Sequence, residues 1–262
     1  MRIMTWNINS VRLRAHLAVE ALERFQPDIL CLQETKTPDD QFPHEPFHQA
    51  GYPYTHNHGM KGYNGVAIIS KHPFESRNVH HRAGQKDCRH IAAKIQGVTL
   101  HNLYIPAGGD EPDPDANPKF AHKLAFVREM AEWFPQQHHD KENVIALGDF
   151  NIAPLENDVW SHRQLLNVVS HTPAEIEALE GMKASLNWID AVRRFVPEEE
   201  KCYTWWSYRN RDWKKSNRGR RLDHIWVTPP LAAGLKDYHI ETPARDWEKP
   251  SDHVPLCIDL DI

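Results

Sequence analysis

The sequence has no apolar run approaching the roughly twenty residues that a membrane-spanning helix needs. Its mean hydropathy of -0.66 agrees, so a water-soluble chain with no membrane partner is expected. Cysteine is sparse: Cys31, Cys88, Cys202 and Cys257 are scattered, without a Cys-x-x-Cys pair. That argues against a disulfide framework or a zinc site and for reduced, partly buried thiols in a cytosolic protein. The first residues, "MRIMTWNINS", lack the long apolar stretch and small-residue cleavage site of a secretory signal, so a cytoplasmic location is expected. Eighteen histidines would invite a metal argument. Most lie in polar stretches such as "HNHG", "VHHR" and "QQHHD", which predicts solvated surface. General positive charge is missing too, with 31 basic against 36 acidic residues and a net charge of -5. This excludes a protein that coats nucleic acid indiscriminately.

What positive charge there is concentrates. Residues 209–221, "RNRDWKKSNRGRR", carry seven basic side chains and one acid, a basic patch on an otherwise acidic body. With 40% hydrophobic residues the chain can bury a sizeable core. Strand-sized apolar runs recur at 3–8, 28–32, 65–70, 91–95, 98–105, 144–147, 222–227 and 254–260. Two helices are predicted. Leu13, Leu17, Ala21 and Phe25 form a stripe ended by Pro27; Phe120, Leu124, Val127, Ala131 and Phe134 form another behind an Asn117 cap and Pro118. Runs 91–95 and 98–105 are too close for a helical crossover, so a hairpin is expected. The reading is mixed α/β with much antiparallel pairing. Segment 106–118, "PAGGDEPDPDANP", reads as an exposed loop, and no composition shift divides residues 1–262 into more than one domain.

Polar residues gather where strands stop. "LGDFNIAP" ends an apolar run with Asp149 and Asn151; elsewhere Asn7, Asn9, Glu34, Tyr104, Asp223, Asp252 and His253 stand at strand ends. Singly, each is an ordinary turn or cap residue. Together, carboxylates and carboxamides make a hard oxygen site suited to Mg²⁺, while an imidazole and a phenol can serve a phosphate. That inventory suits metal-assisted phosphodiester hydrolysis.

The blocks "WNINSVR", "LCLQETK", "YNGVAIISK", "NLYIPAG", "LGDFNIAP", "YTWWSYR", "NRGRRLDHIWV" and "KPSDHVPL" resemble, in order, the exonuclease III family. These are DNA repair enzymes that incise at abasic sites, within the endonuclease/exonuclease/phosphatase superfamily. The resemblance covers essentially the whole chain. It implies a four-layer α/β-sandwich, two mixed sheets packed face to face with helices outside, and a site at one edge. It further implies a monomer acting on double-stranded DNA that carries abasic sites or blocked 3' ends, with Mg²⁺ as cofactor and Mn²⁺ as a possible substitute.

Residue roles follow from the same resemblance. Glu34 is the principal metal carboxylate, with Asn7 beside it and Asp252 a direct or water-mediated ligand; Asp149, Asn151 and His253 complete the candidate metal set. Asp149 orients or deprotonates water or protonates the leaving oxygen, Asn151 holds that arrangement, and Asp223 fixes the tautomer of His253. His253 either contacts the phosphate or acts as general base. Tyr104 bonds or protonates phosphate oxygens. Trp205 and Leu222 line a pocket for a base-less sugar; one of Trp205 and Trp206 is core by strand alternation. Arg209, Arg211, Lys214, Lys215 and Arg218 supply DNA backbone contacts.

Three departures stand out. Arg220 occupies a position where some relatives place an aromatic pocket wall, His224 stands where an apolar or tyrosyl residue is common, and the 106–118 loop is acidic. They bear on the balance of endonuclease, 3' exonuclease and 3' phosphatase activity. A phosphatase of non-DNA esters on the same scaffold is the alternative enzyme reading, though no amphipathic lipid-binding segment is present. A catalytically silent DNA-binding module would not need this set of acids beside phosphate.

Overall fold

A computed structural model describes residues 1–210 and 212–262. Its strands, in chain order, are β1 (Arg2–Asn7), β2 (Ile29–Gln33), β3 (Tyr54–His58), β4 (Val66–Ser70), β5 (Ser76–Arg82), β6 (Gln85–Ile95), β7 (Val98–Tyr104), β8 (Val144–Asp149), β9 (Ile189–Asp190), β10 (Trp205–Trp206), β11 (Gly219–Arg220), β12 (Asp223–Val227), β13 (Leu235–Ile240) and β14 (Leu256–Leu260). The α-helices are α1 (Val11–Phe25), α2 (His44–Gln49), α3 (Pro118–Gln137), α4 (His162–Leu165), α5 (Pro173–Ala184), α6 (Trp213–Ser216) and α7 (Pro229–Ala232).

One six-stranded sheet has the order β13-β14-β1-β2-β4-β3, the other β5-β6-β7-β8-β12-β9, and β10 with β11 forms a short ribbon. Each six-stranded sheet contains one parallel pair, β1 with β2 and β7 with β8, among antiparallel neighbours. The connection inside each parallel pair is a helix, α1 or α3, as a parallel crossover requires. The sheets share a core between them: Ile3, Cys31 and Ile68 from the first meet Leu100, Ile145 and Ile225 from the second. Outside, α1 and α2 cover the first sheet through Leu17, Ala18 and Phe47 against Met4, Trp6 and Leu30. Helices α3 and α5 cover the second through Phe120, Val127 and Leu179 against Leu103, Val144 and Ala146. The expected four-layer α/β-sandwich is therefore present. Central strands covered on both faces explain why β2 and β8 read as unbroken apolar runs rather than alternating ones.

The hairpin expected at 91–105 forms around Gln96 and Gly97, both at positive φ (49° and 79°), as a two-residue loop of this hand demands. Helix α3 starts as expected, with the Asn117 side chain accepting from the Lys119 amide and Pro118 in the first turn. Other expectations change. Leu13 is 68% exposed, because α1 is broken at Arg14 (φ -127°). The Arg14 Nε donates to the Lys249 carbonyl at 2.8 Å, turning the first helical turn away from the stripe below it. Strands β3, β5 and β13 were not legible: each is a sheet edge, so polar sequences such as "SRNVHHR" can sit there. Helix α5 did carry a start signal, Thr172-Pro173-Ala174-Glu175, and the structure shows the reciprocal capping box.

All four cysteines are free and buried. The histidines are less exposed than expected: His56, His90 and His101 are buried and His58, His80 and His138 half-buried. An imidazole chain runs along the outer face of the second sheet. Arg82 Nε donates to His90 Nδ1 at 3.1 Å, His90 Nε2 meets His101 Nδ1 at 2.9 Å, and His101 Nε2 meets His138 Nε2 at 2.9 Å. Because the guanidinium can only donate, the donation runs one way and each ring is neutral. His80, His90 and His101 could bring three nitrogens to an ion, but those of His90 and His101 are already spent on this chain.

Arg221, 1% exposed, holds the second sheet to its flanking loops. It bonds Asp158 through Nε (2.7 Å) and Nη2 (2.9 Å) and Asp190 through Nη1 (2.7 Å). Burial disfavours both carboxylate charges, yet Arg221 outweighs it and holds both below the ordinary range. Such depressed acids contribute stability that is present above about pH 4 and lost as pH falls through their folded-state values. Arg221→Met leaves Asp190 without its guanidinium and Asp158 with Arg193 alone, and should destabilise the fold by roughly 3–5 kcal/mol at pH 7. The deficit should shrink toward pH 4, where those acids take up protons; urea unfolding of both proteins at the two pH values measures it.

Candidate active site

The C-terminal ends of the two parallel pairs converge. Asn7 ends β1, Glu34 follows β2, Tyr104 ends β7 and Asp149 ends β8. Asp223, first residue of β12, lies directly across from Asp149 in the antiparallel register. The parallel pairing of β8 with β7 needs Gly148: a Cβ there would lie 2.0 Å from the Leu103 carbonyl oxygen of β7, and its φ is +131°. "LGDF" thus carries glycine for strand packing and aspartate for the site.

The centre is Asp149, 1% exposed. Its Oδ2 accepts from Asn7 Nδ2 at 2.8 Å and Asn151 Nδ2 at 3.2 Å, and its Oδ1 accepts from the Asn151 amide at 2.9 Å. His253 Nε2 faces Asp149 Oδ2 at 3.6 Å, and its Nδ1 is held by Asp223 Oδ2 at 2.8 Å. Burial pushes the Asp149 carboxyl up to about 7, helped by the negative charges of Asp223 and Glu34 and opposed by His253 and the Asn7 hydrogen bond. Burial works against the charge on His253, but Asp223 and Asp149 together overcome it and hold the imidazole up to about 10. At neutral pH the ring is a cation with Nε2–H directed at Asp149 and the cleft.

Glu34 is bonded on one oxygen by the Tyr104 hydroxyl and on the other by Lys36 Nζ at 2.7 Å. Lys36 also donates to Asn9 Oδ1 at 2.6 Å, and Asn9 Nδ2 donates to Asp252 Oδ1 at 3.1 Å. Lys36 and Asn9 therefore belong to the site, although only Asn7 and Glu34 of those two motifs were singled out for roles; the signal was present in "NINS" and "QETK". Asn9, Glu34, Lys36 and Asn151 all have φ near +50°. Non-glycine residues adopt this conformation only when surroundings impose it, and here the Glu34 carbonyl is tied to the Ser10 amide (2.7 Å) and the Lys36 amide to the Asn64 carbonyl (2.8 Å). Burial pushes the Tyr104 phenol well upward, with Glu34 adding to it, so it remains a proton donor.

The donor set suits a hard divalent cation. Glu34, Asp149, Asp223 and Asp252 crowd one region, the repulsion is visible in the raised Asp149, and Lys36 already places a positive charge on Glu34. Asp149, Asp223 and His253 also bring side-chain atoms within 4.8 Å of one another, but the protonated His253 ring has no lone pair to offer an ion.

A cleft of about 580 Å³ opens beside these residues. The β10–β11 ribbon pairs Trp205 with Arg220, and Trp205 bridges to His253. Half-buried Trp205 lines the cleft and donates from Nε1 to Asp252 Oδ2 at 2.9 Å, whereas Trp206 is core, as alternation requires. Leu222 lines the cleft with Leu165, Val168, Trp160 and Arg220. Arg209 and Arg218 reach it as well, Arg218 lying 4.7 Å over the Trp160 ring. Lys214 and Lys215 sit on α6, exposed and outside the cleft lining, and Lys214 pairs with Asp246 at 2.6 Å. Arg211 lies outside the described residues. His224 is explained by packing: it stacks on Phe150 and bonds the Ile152 carbonyl at 2.8 Å.

Comparison with known proteins gives the same frame. Residues 4–253 match the sequence profile of the Endonuclease/Exonuclease/phosphatase family. Exodeoxyribonuclease III of Haemophilus influenzae is 28% identical over 98% of each chain. An AP endonuclease from Archaeoglobus fulgidus superposes with a TM-score of 0.93 at 33% identity, covering both chains completely. A 3' phosphatase from Neisseria, solved with a product DNA hairpin, does so at 0.91 and 32%, again over both whole chains. The chain belongs to the endonuclease/exonuclease/phosphatase family, on its exonuclease III branch, and is a hydrolase of the nuclease class.

Proposed function

We propose that this protein is a Mg²⁺-dependent DNA repair phosphodiesterase, one catalytic domain acting as a monomer. It incises duplex DNA immediately 5' of an abasic site to leave a 3' hydroxyl, and it also trims or unblocks 3' ends. The observation that carries the reading is one cleft lined both by Asp149 and His253, the latter held by Asp223, and by an apolar wall of Trp205 and Leu222. A sugar without its base fits such a pocket, while a normal nucleotide must be distorted to enter it. The similarity to an AP endonuclease and to a 3' phosphatase with DNA supports both halves of the proposal.

Glu34, with Asn7 and Asp252, would hold the ion, which when bound supplies charge stabilisation at the phosphate oxygens. The protonated His253 is no ligand in this reading; its Nε2–H donates to the scissile phosphate, and Asp223 fixes its orientation. Asp149, poised near neutrality, takes the proton of the attacking water. Asn7 and Asn151 keep its carboxylate aimed, and the Tyr104 hydroxyl donates to a phosphate oxygen. Water attacks phosphorus, the P–O3' bond breaks, the 3' oxygen takes a proton from solvent, and Asp149 returns its own to solvent. Arg209, Arg211, Arg218, Lys214 and Lys215 contact the DNA backbone.

The test is a duplex with one internal abasic analogue and a second duplex with a recessed 3' end, each with Mg²⁺, with Mn²⁺ and with chelator. Metal-dependent nicking 5' of the lesion is expected; an uncut lesion beside a trimmed 3' end would make the enzyme chiefly an exonuclease. Asp149→Asn should lower kcat by about 10²–10⁴-fold with DNA affinity retained, and Glu34→Ala should raise the Mg²⁺ concentration needed for half-maximal rate. A mild Asp149→Asn defect would move the proton-accepting role elsewhere.

The pH–rate profile should be bell-shaped. Asp149 must be ionised, so the rate rises with pH to a limb at or below about 7, since a bound cation lowers a carboxylate further. His253 must be charged, so the rate falls as pH passes about 10, and His253→Asn should remove that alkaline limb. Charge reversal at Lys214 and Lys215 should weaken duplex binding and reduce the salt slope by about one per lost phosphate contact; an unchanged slope would return the run to plain surface.

A further inference from the structure

The pocket beside the reacting centre is not uniformly apolar. Arg220 lines it, half-buried, with its guanidinium 5.4 Å over the Trp205 ring. Its Nη1 donates to the Val169 carbonyl at 2.9 Å and Ser170 Oγ at 2.7 Å. Those bonds occupy one nitrogen. Nε is shut from solvent with no hydrogen-bond partner, and no carboxylate of the described residues lies within ion-pair distance of Arg220. The acid whose field favours it, Glu175, is taken by Lys123 at 2.5 Å and by the Ser170 and Thr172 amides.

The adjacent residue shows what a structural arginine looks like in this fold: Arg221 meets two carboxylates. A guanidinium removed from water without a counter-charge is costly, and it keeps its proton under almost any condition. Packing alone would be served by an apolar wall at that place. With Nη1 bonded and Nε shut from solvent, Nη2 is the nitrogen left to meet an anion in the cleft.

We propose that Arg220 makes this pocket a receptor for an oxyanion carried by the fragment that departs with the scissile phosphate, so that the enzyme selects acidic leaving fragments over neutral ones. The inference rests on the phosphodiesterase reading above and names its substrate preference. The chemistry is unchanged: the water oxygen bonds to phosphorus, the P–O3' bond breaks, the 3' oxygen acquires a proton, and the fragment leaves as a phosphate monoester bearing its anion. That anion is either a carboxylate on a small group blocking a 3' end or the next phosphodiester on the 3' side of an abasic sugar.

Two pairs of substrates separate these sources. The first compares duplexes whose 3' phosphate is esterified with glycolate or with neutral ethylene glycol. The second compares an internal abasic analogue followed by an ordinary phosphate or by an uncharged methylphosphonate. In at least one pair the parent protein should cut the anionic member about tenfold or more faster in kcat/KM. Arg220→Met should reduce that ratio toward one, and Arg220→Lys should restore part of it. A merely structural role predicts that Arg220→Met slows both members together with the ratio intact, and that result overturns the proposal. Ratios near one in the parent protein overturn it as well, while leaving the nuclease reading standing if both members are cut. Failure to cut any of the four duplexes, or a recessed 3' end, would instead overturn the nuclease reading itself.

Discussion

A buried amide pair fixes how the two sheets face each other. Gln33, last residue of β2, donates to Asn102 Oδ1 of β7 at 2.7 Å, and Asn102 Nδ2 donates to the Leu32 and Ala67 carbonyls at 3.0 and 2.9 Å. Apolar contacts between sheets are tolerant of sliding; hydrogen bonds in a low-dielectric interior are not, because a shifted partner leaves a buried polar group unsatisfied. The clamp lies one residue before Glu34 and two before Tyr104. Any slip between the layers would therefore part the phenol from the carboxylate it bonds.

From that constraint the site follows as an electrostatic arrangement. The ends of β2, β8 and β12 deliver Glu34, Asp149 and Asp223 into one small region, where burial and the charges of the other two raise the affinity of Asp149 for a proton. His253 offsets part of this, and the same crowding separates the roles of its members: a carboxyl near neutrality beside an imidazolium held charged. Pairs of groups driven apart in this way are the usual signature of a proton acceptor beside a donor. Left-handed backbone at Asn9, Glu34, Lys36 and Asn151 is the local cost of bringing those side chains together.

The periphery decides what reaches the centre. Trp205 and Arg220 arrive together because they are cross-strand partners in a two-residue ribbon, and the ribbon is pinned to the site through the Trp205–His253 bridge. The cleft wall and the reacting centre thus share backbone.

The sequence by itself determined the central elements and the chemistry. Strands covered on both faces must be apolar along their whole length, so β1, β2, β8 and β14 were legible, as were the polar residues standing out against them. Edge strands β3, β5 and β13 were not, since one solvated side removes the pattern that marks a strand. The burial of His90 and His101 was equally hidden: hydrogen-bonded imidazoles are stable inside a core, but their partners lie far along the chain. Only the tertiary structure decided that Lys36 and Asn9 join the site and that Arg220, unlike its neighbour Arg221, is left without a carboxylate. Pairing between charges depends on distances between distant segments, which residue order alone does not set.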